Sequence, residues 1–269
     1  MSHIRLIISD IDGTILNDHH QIDPQLAALI PDLKREEIPF VLASARSPKG
    51  MAPIAKELGI EDCPMACYNG ALIQKGEQVL FEHPFDKNEA RQFIDWANQH
   101  FPQVSINLYS GKDWMTDHLD QWSQEEARIT GEKPLILPLL DPLLDATKPL
   151  HKLLLIGEAE EIQALYRAIS TDDFPSTAFY LSKANYLEVT AKHVSKEDAL
   201  VELANYYHLS LEEVLTMGDN FNDLPMLKKA GIGVAMGNAP QEVKDEAAVV
   251  TKTNNENGAG HAVETYVLI

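Results

Sequence analysis

Residues 4–8, IRLII, are apolar apart from Arg5, and a short run without alternation reads as a strand buried on both faces of a parallel sheet. Asp23 and Pro24 then supply a helix start, and Leu26, Leu29, Ile30 and Leu33 follow at helical spacing. Pro31 falls inside that helix and is expected to kink it. Residues 38–43, IPFVLA, predict the next buried strand, and Ser47 with Pro48 opens a helix that should end near Gly59. This alternation predicts right-handed crossovers and an α/β fold with a doubly wound, mostly parallel sheet.

The last third of the chain repeats the pattern: a helix over 196–207, the strand VLTMGD, a helix over 224–230 stopped by Gly231, the strand IGVAM, and a helix begun at Asn238. Between these parts the pattern changes. Strand candidates at 104–109, 152–157 and 177–182 sit among amphipathic helices at 88–100 and 159–170. The apolar tract 135–150 is broken by Pro138, Asp141, Pro142 and Pro149 and reads as a packed, kinked connection. The economical organisation is a main domain made of 1–82 and 187–269, interrupted by an inserted α+β domain at 83–186.

Composition narrows the partners. The chain has 269 residues, 45% of them hydrophobic, enough to bury a sizeable core. Acidic residues outnumber basic ones 41 to 22, and a net charge of −19 repels phosphate backbones and anionic membrane surfaces. Neither nucleic acid nor a membrane is an expected partner, and a small anionic ligand needs a local cation or lysine. Cys63 and Cys67 flank Pro64 without a histidine cluster to complete a zinc site, so they read as reduced thiols of a cytoplasmic protein. MSHIRLII is too short an apolar run for a signal peptide, and no stretch approaches the roughly 18 apolar residues of a spanning helix. The chain is expected to act as a monomer or homodimer.

Candidate chemistry gathers at strand ends. In LIISDIDGTIL, residues 6–16, Asp10 and Asp12 are two apart and project to one side of an extended segment. The carboxyl end of such a strand faces the ligand crevice, where two carboxylates need a cation between them or a shared proton. A calcium loop does not fit, because the glycine is fourth and the twelfth residue is Gln21. A plain turn and a phosphoacceptor aspartate both remain open on these residues. GDNFND, residues 218–223, follows a second buried strand and crowds Asp219, Asn222 and Asp223 into a turn. Capping explains one of the three; hard-metal coordination by oxygen explains more. Lys196, in a helix start framed by Ser195 and Asp198, places a cation against the helix dipole, though it could be one exposed lysine among many. Ser44, at the end of the second strand, could hold a phosphate oxygen or cap a turn.

Taken in order, DIDGT at 10–14, Ser44, Lys196 and GDNFND at 218–223 resemble the four motifs of the haloacid dehalogenase-like phosphatase superfamily. YNGALI at 68–73, the long insertion and GVAMGNAP at 233–240 resemble its Cof-type branch, which carries a large α/β cap on a Rossmann-like core. The resemblance implies an Mg2+-dependent phosphatase acting on a small phosphorylated metabolite. It assigns Asp10 as nucleophile and Asp12 as general acid and base. It assigns magnesium to the carboxylates of Asp10 and Asp219 and the backbone carbonyl of Asp12, with Asp223 orienting the coordination shell, and phosphoryl oxygens to Ser44, Ala45, Lys196 and Asn222. Departures from the pattern are Ser44 and Ala45 for threonine and glycine, Glu197 after the motif lysine, and Glu37 where glycine is common. A phosphomutase of the same fold and a phospho-ligand sensor are the competing readings.

Overall fold

A computed structural model describes residues 4–268. The first segment carries β1 (Leu6–Ser9), α1 (Pro24–Arg35), β2 (Phe40–Ala43), α2 (Pro48–Leu58), β3 (Met65–Cys67), β4 (Leu72–Lys75) and β5 (Gln78–Glu82). The middle segment carries α3 (Lys87–His100), β6 (Ser105–Ser110), β7 (Asp113–Thr116), α4 (Gln121–Thr130), β8 (Leu135–Ile136), α5 (Leu140–Leu144), β9 (Lys152–Ile156), α6 (Ala159–Ala168), β10 (Thr177–Lys183) and β11 (Tyr186–Ala191). The last carries α7 (Lys196–Tyr206), β12 (Val214–Gly218), α8 (Leu224–Lys229), β13 (Ile232–Ala235), α9 (Gln241–Glu246), β14 (Val249–Val250) and α10 (Gly258–Tyr266). Contacts divide the chain into two compact units: Met1–Arg46, Met51–Phe81 and Ser195–Ile269 form one, and Ser47–Gly50 with Glu82–Val194 form the other.

The first unit is built on an eight-stranded sheet in the order β14-β13-β12-β1-β2-β3-β4-β5. β1 runs parallel to both β2 and β12, and β13, β14 and β3 continue the parallel arrangement. β1 and β2 are buried at every position, as uninterrupted apolar strands must be when helices cover both faces. The chain leaves β1 toward β2 on one side and returns to β12 on the other, so the carboxyl ends of β1 and β12 flank the point where ligands bind in such sheets.

Local chemistry sets the helix ends. Asp23 caps α1 by accepting the amides of Gln25 and Leu26, while its second carboxylate oxygen takes the amide of Gly260 at the start of α10. α1 runs through Pro31 as one element. α1, α2 and α7 all end in the same turn. Glu37, Gly59 and His208 take left-handed φ values of 55°, 70° and 55°. The next amides, of Ile38, Ile60 and Leu209, reach back to the carbonyls of Leu33, Ala55 and Ala204.

The second unit is a six-stranded sheet in the order β10-β11-β9-β6-β7-β8. Its pairings are antiparallel except that between β7 and β8. Phe93 of α3 and Ile162 and Leu165 of α6 pack with Leu108, Leu153, Leu155 and Leu187 to form its core.

Three expectations need correction. The main domain was expected to resume at 187, but β11 pairs along 186–191 with β9 and β10 in the second sheet, and the second unit runs on to Val194. Tract 135–150 is more than a connection: it supplies the edge strand β8 and the short helix α5. Pro142 lies in the first turn of α5, where a helix does not use its N–H groups, so it starts an element rather than breaking one. The helix expected from Asn238 begins at Gln241, because the Asn238 side chain is engaged elsewhere.

Candidate active site

All the site residues named from sequence lie in the first unit. The amide of Asp10 donates to the carbonyl of Met217, which carries the β1–β12 pairing to the last residue before the acidic turns. One oxygen each of Asp10, Asp219 and Asp223 lies within 4.8 Å of the others. Asp10 is 6% exposed and Asp223 is fully buried. Lys196, 1% exposed, donates to Asp10 Oδ1 at 2.5 Å and to Asp223 Oδ1 at 2.6 Å. Its place in the first turn of α7 opposes the helix dipole, and the two carboxylates offset that cost.

Electrostatics follow from this crowding. Burial raises the pKa of Asp219 to about 7, helped by Asp223 and opposed by Lys196. Burial also raises that of Asp10, with Asp223 and Asp219 adding to it against the pull of Lys196. Burial alone would lower that of Lys196, but Asp10 and Asp223 outweigh it and hold the ammonium above its ordinary range. Three carboxylates and one ammonium leave two negative charges, and the two raised carboxyl values are the response to that excess. Oxygen ligands with a net charge of two fit a divalent, oxygen-preferring cation.

The other predicted residues separate into those the geometry engages and those it does not. Asp223 Oδ2 accepts the amides of Asp219 and Asn220, both at 3.0 Å, so its carboxylate shapes the turn as well as meeting Lys196. Asp12 turns away from the cluster: Arg46 grips its two oxygens at 2.7 and 2.6 Å. Ser44 is buried at the end of β2, and its hydroxyl accepts the amide of Arg46 at 3.3 Å. Ala45 follows it, half-buried, and Asn222 is exposed on the turn beside Asp223. Glu197 is spent on Lys229 at the surface.

Three groups escaped the sequence reading as site residues. Thr14 donates to Asp10 Oδ2 at 3.3 Å and approaches Asp219 Oδ1 at 3.5 Å. Arg46 orients Asp12. Asn238 donates to the Gly13 carbonyl at 2.8 Å and to Asp219 Oδ2 at 3.4 Å, while its own oxygen accepts the Asn254 amide. The stretch GVAMGNAP was visible in the sequence, but only the fold shows that its asparagine, Asn238, reaches the DIDGT turn. Gly13 itself sits at φ 78°, and a Cβ there would collide with the Asp219 carboxylate.

A parallel sheet with acids at two adjacent strand ends and a buried lysine between them defines a class of phosphoryl-handling α/β folds. The haloacid dehalogenase-like hydrolase family matches residues 7–263, and the chain belongs to it. A chain of Haemophilus influenzae, provisionally named a phosphatase, is 35% identical over 261 residues, covering 97% of each. The Bacillus subtilis 5-amino-6-(5-phospho-D-ribitylamino)uracil phosphatase YcsE is 27% identical, covering 98% of this chain and 96% of its own. The crystal structure of a haloacid dehalogenase-like hydrolase from Bacteroides thetaiotaomicron superposes with a TM-score of 0.88 at 30% identity, over 97% and 98% of the two chains. Among the described residues no helix is long and apolar enough to cross a membrane.

Proposed function

We propose that the protein is a magnesium-dependent phosphatase that hydrolyses a small phosphorylated metabolite through an aspartyl phosphate on Asp10. The observation that carries this reading is the buried contact of Lys196 with Asp10 inside a three-carboxylate cluster. An isolated surface aspartate would serve a switch; a desolvated one paired to lysine is arranged for attack on an anion.

In the proposed reaction an Asp10 oxygen forms a bond to phosphorus as the bond to the leaving oxygen breaks. Asp12 gives that oxygen a proton, then removes one from the water that cleaves the acyl phosphate, regenerating Asp10 and releasing inorganic phosphate. Arg46 keeps the Asp12 carboxylate pointed in one direction through two hydrogen bonds. Lys196 offsets the negative charge shared by nucleophile and substrate. Ser44, the Ala45 amide and Asn222 are assigned to the remaining phosphoryl oxygens. Asp10 and Asp219, with the Asp12 carbonyl, would hold magnesium, and Asp223 would fix the turn that carries Asp219. The bound cation supplies charge neutralisation at the phosphoryl group. The phosphorylated metabolite belongs to the sugar phosphates, nucleotides or phosphorylated cofactors.

The test is phosphate release from p-nitrophenyl phosphate and a panel of phosphorylated metabolites, with magnesium and with a chelator. Turnover is expected with magnesium and at background in Asp10→Asn. Undiminished activity in that variant, or tight binding of a phosphorylated ligand with no phosphate released from any compound, contradicts the proposal.

A further inference from the structure

β3 runs parallel to β2, so the turn that follows it lies at the same edge of the sheet as Ser44. That turn is strained. Tyr68, Asn69 and Gly70 take φ values of 54°, 57° and 105°, three left-handed residues in succession. Only the third is glycine, and the other two hold this backbone at a steric cost. Tyr68 and Asn69 are also buried, so packing on every side fixes a conformation that would otherwise relax.

The turn grips two elements that carry site residues. On one side its amides hold the loop after β2: Asn69 donates to the Ser44 carbonyl at 2.8 Å, and Tyr68 donates to the Arg46 carbonyl at 3.0 Å. These bonds bracket Ala45, whose amide is assigned above to a phosphoryl oxygen. On the other side Gly70 lies against the first turn of α7. A Cβ on Gly70 would stand 3.0 Å from the Ser195 carbonyl oxygen and 3.0 Å from the Ala199 Cβ. Lys196 lies between those two residues in the chain, and its ammonium meets Asp10 and Asp223. The Ser195 carbonyl accepts the Ala199 amide at 3.1 Å, so pressure on either residue is pressure on the turn that carries the lysine.

We propose that Tyr68–Gly70 is a brace that fixes the spacing between the Ala45 amide and the Lys196 ammonium, and that Gly70 is the positioning residue that sets it. The inference rests on the phosphatase reading for the roles of those two groups. One phosphoryl group meets both only when their separation is right, so a small displacement of α7 is felt as lost affinity.

The experiment is calorimetric titration of the full chain with inorganic phosphate in the presence of magnesium, alongside urea unfolding of each variant. Gly70→Ala should weaken phosphate about fivefold to tenfold. Gly59→Ala is the control: Gly59 holds a left-handed backbone at φ 70°, but nothing lies within 4 Å of a Cβ there. It should lose stability and bind phosphate as the wild type does. Ala199→Gly in the Gly70→Ala background removes one close partner and lets the new methyl move away from the other. It should recover about threefold in affinity while lowering the urea midpoint further, since glycine weakens a helix. Affinity and stability then move in opposite directions, which a merely structural Gly70 would not produce. In the wild type itself, phosphate should slow hydrogen exchange at the Tyr68 and Asn69 amides, a measurement that decides the matter should Gly70→Ala not fold. Wild-type affinity in Gly70→Ala, equal weakening in Gly59→Ala, no recovery in the double variant, unchanged amide exchange, or no saturable phosphate binding by the wild type overturns the proposal. A wild type that binds phosphate but releases none from any substrate counts against the phosphatase reading alone.

Discussion

Gly13 and Asn238 show how tightly the carboxylates are held at the scale of single residues. The Gly13 carbonyl and the Asp219 carboxylate share the Asn238 amide, and the space a side chain would need at Gly13 is filled by Asp219. Gly13→Ala should therefore cost about 1–2 kcal/mol for the left-handed backbone alone and displace Asp219 as well. Urea unfolding measures the first effect and the magnesium concentration for half-maximal phosphate release the second; a variant with wild-type values in both contradicts the geometry. Arg46→Lys keeps the charge but loses the paired hydrogen bonds to Asp12. It should lower kcat about tenfold and shift the pH–rate profile, with KM little changed. Of these residues, Asp10, Asp219 and Lys196 were legible because each stands at a strand end or helix start, where local pattern marks the position. Arg46 and Asn238 were not assigned roles. Their partners lie 34 and 225 residues away in the chain, and no local periodicity reports such a pairing.

Elements tell a similar story about what local rules can reach. α1 and α2 close with the same turn, yet the left-handed position is glutamate in one and glycine in the other. Glu37→Gly should stabilise the protein by about 1 kcal/mol by removing the left-handed penalty, read as a shift of the urea midpoint at constant slope. A loss of stability would mean that the Glu37 side chain contributes more than its backbone costs. Buried strands β1, β2, β12 and β13 were readable as uninterrupted apolar runs. β8 was missed because a two-residue strand carries no pattern of its own. It exists because its backbone pairs with β7, a tertiary fact. The misplaced start of α9 has the same origin: Asn238 has the composition of a helix cap but spends its side chain on the Gly13 turn.

At the scale of the whole molecule, an acidic chain concentrates two uncompensated negative charges in a buried cluster. Asp219, at about 7, and Asp10 both bind protons more tightly in the folded state than the ordinary carboxyl value of 3.8. A raised carboxyl value means that the folded state holds more protons than the unfolded one. This contribution is therefore favourable at low pH and is lost as pH rises from the unfolded toward the folded value. The metal-free protein should accordingly gain more thermal stability from magnesium at about pH 8 than at about pH 6, where protons compete for the same oxygens. Scanning calorimetry with magnesium and with chelator measures the difference, and Asp219→Asn should remove most of it. Equal gains at both pH values would separate magnesium binding from this cluster.

The central claim is that phosphate passes through Asp10, and the most direct measurement is chemical trapping of that residue. Wild-type protein turning over a phosphorylated substrate with magnesium is quenched in acid, reduced with borohydride and digested. Mass spectrometry of the peptide that contains Asp10 and Asp12 should then show homoserine at position 10 and aspartate at position 12. Phosphate release at full rate with position 10 unreduced, or with the reduction at another carboxylate, contradicts the account.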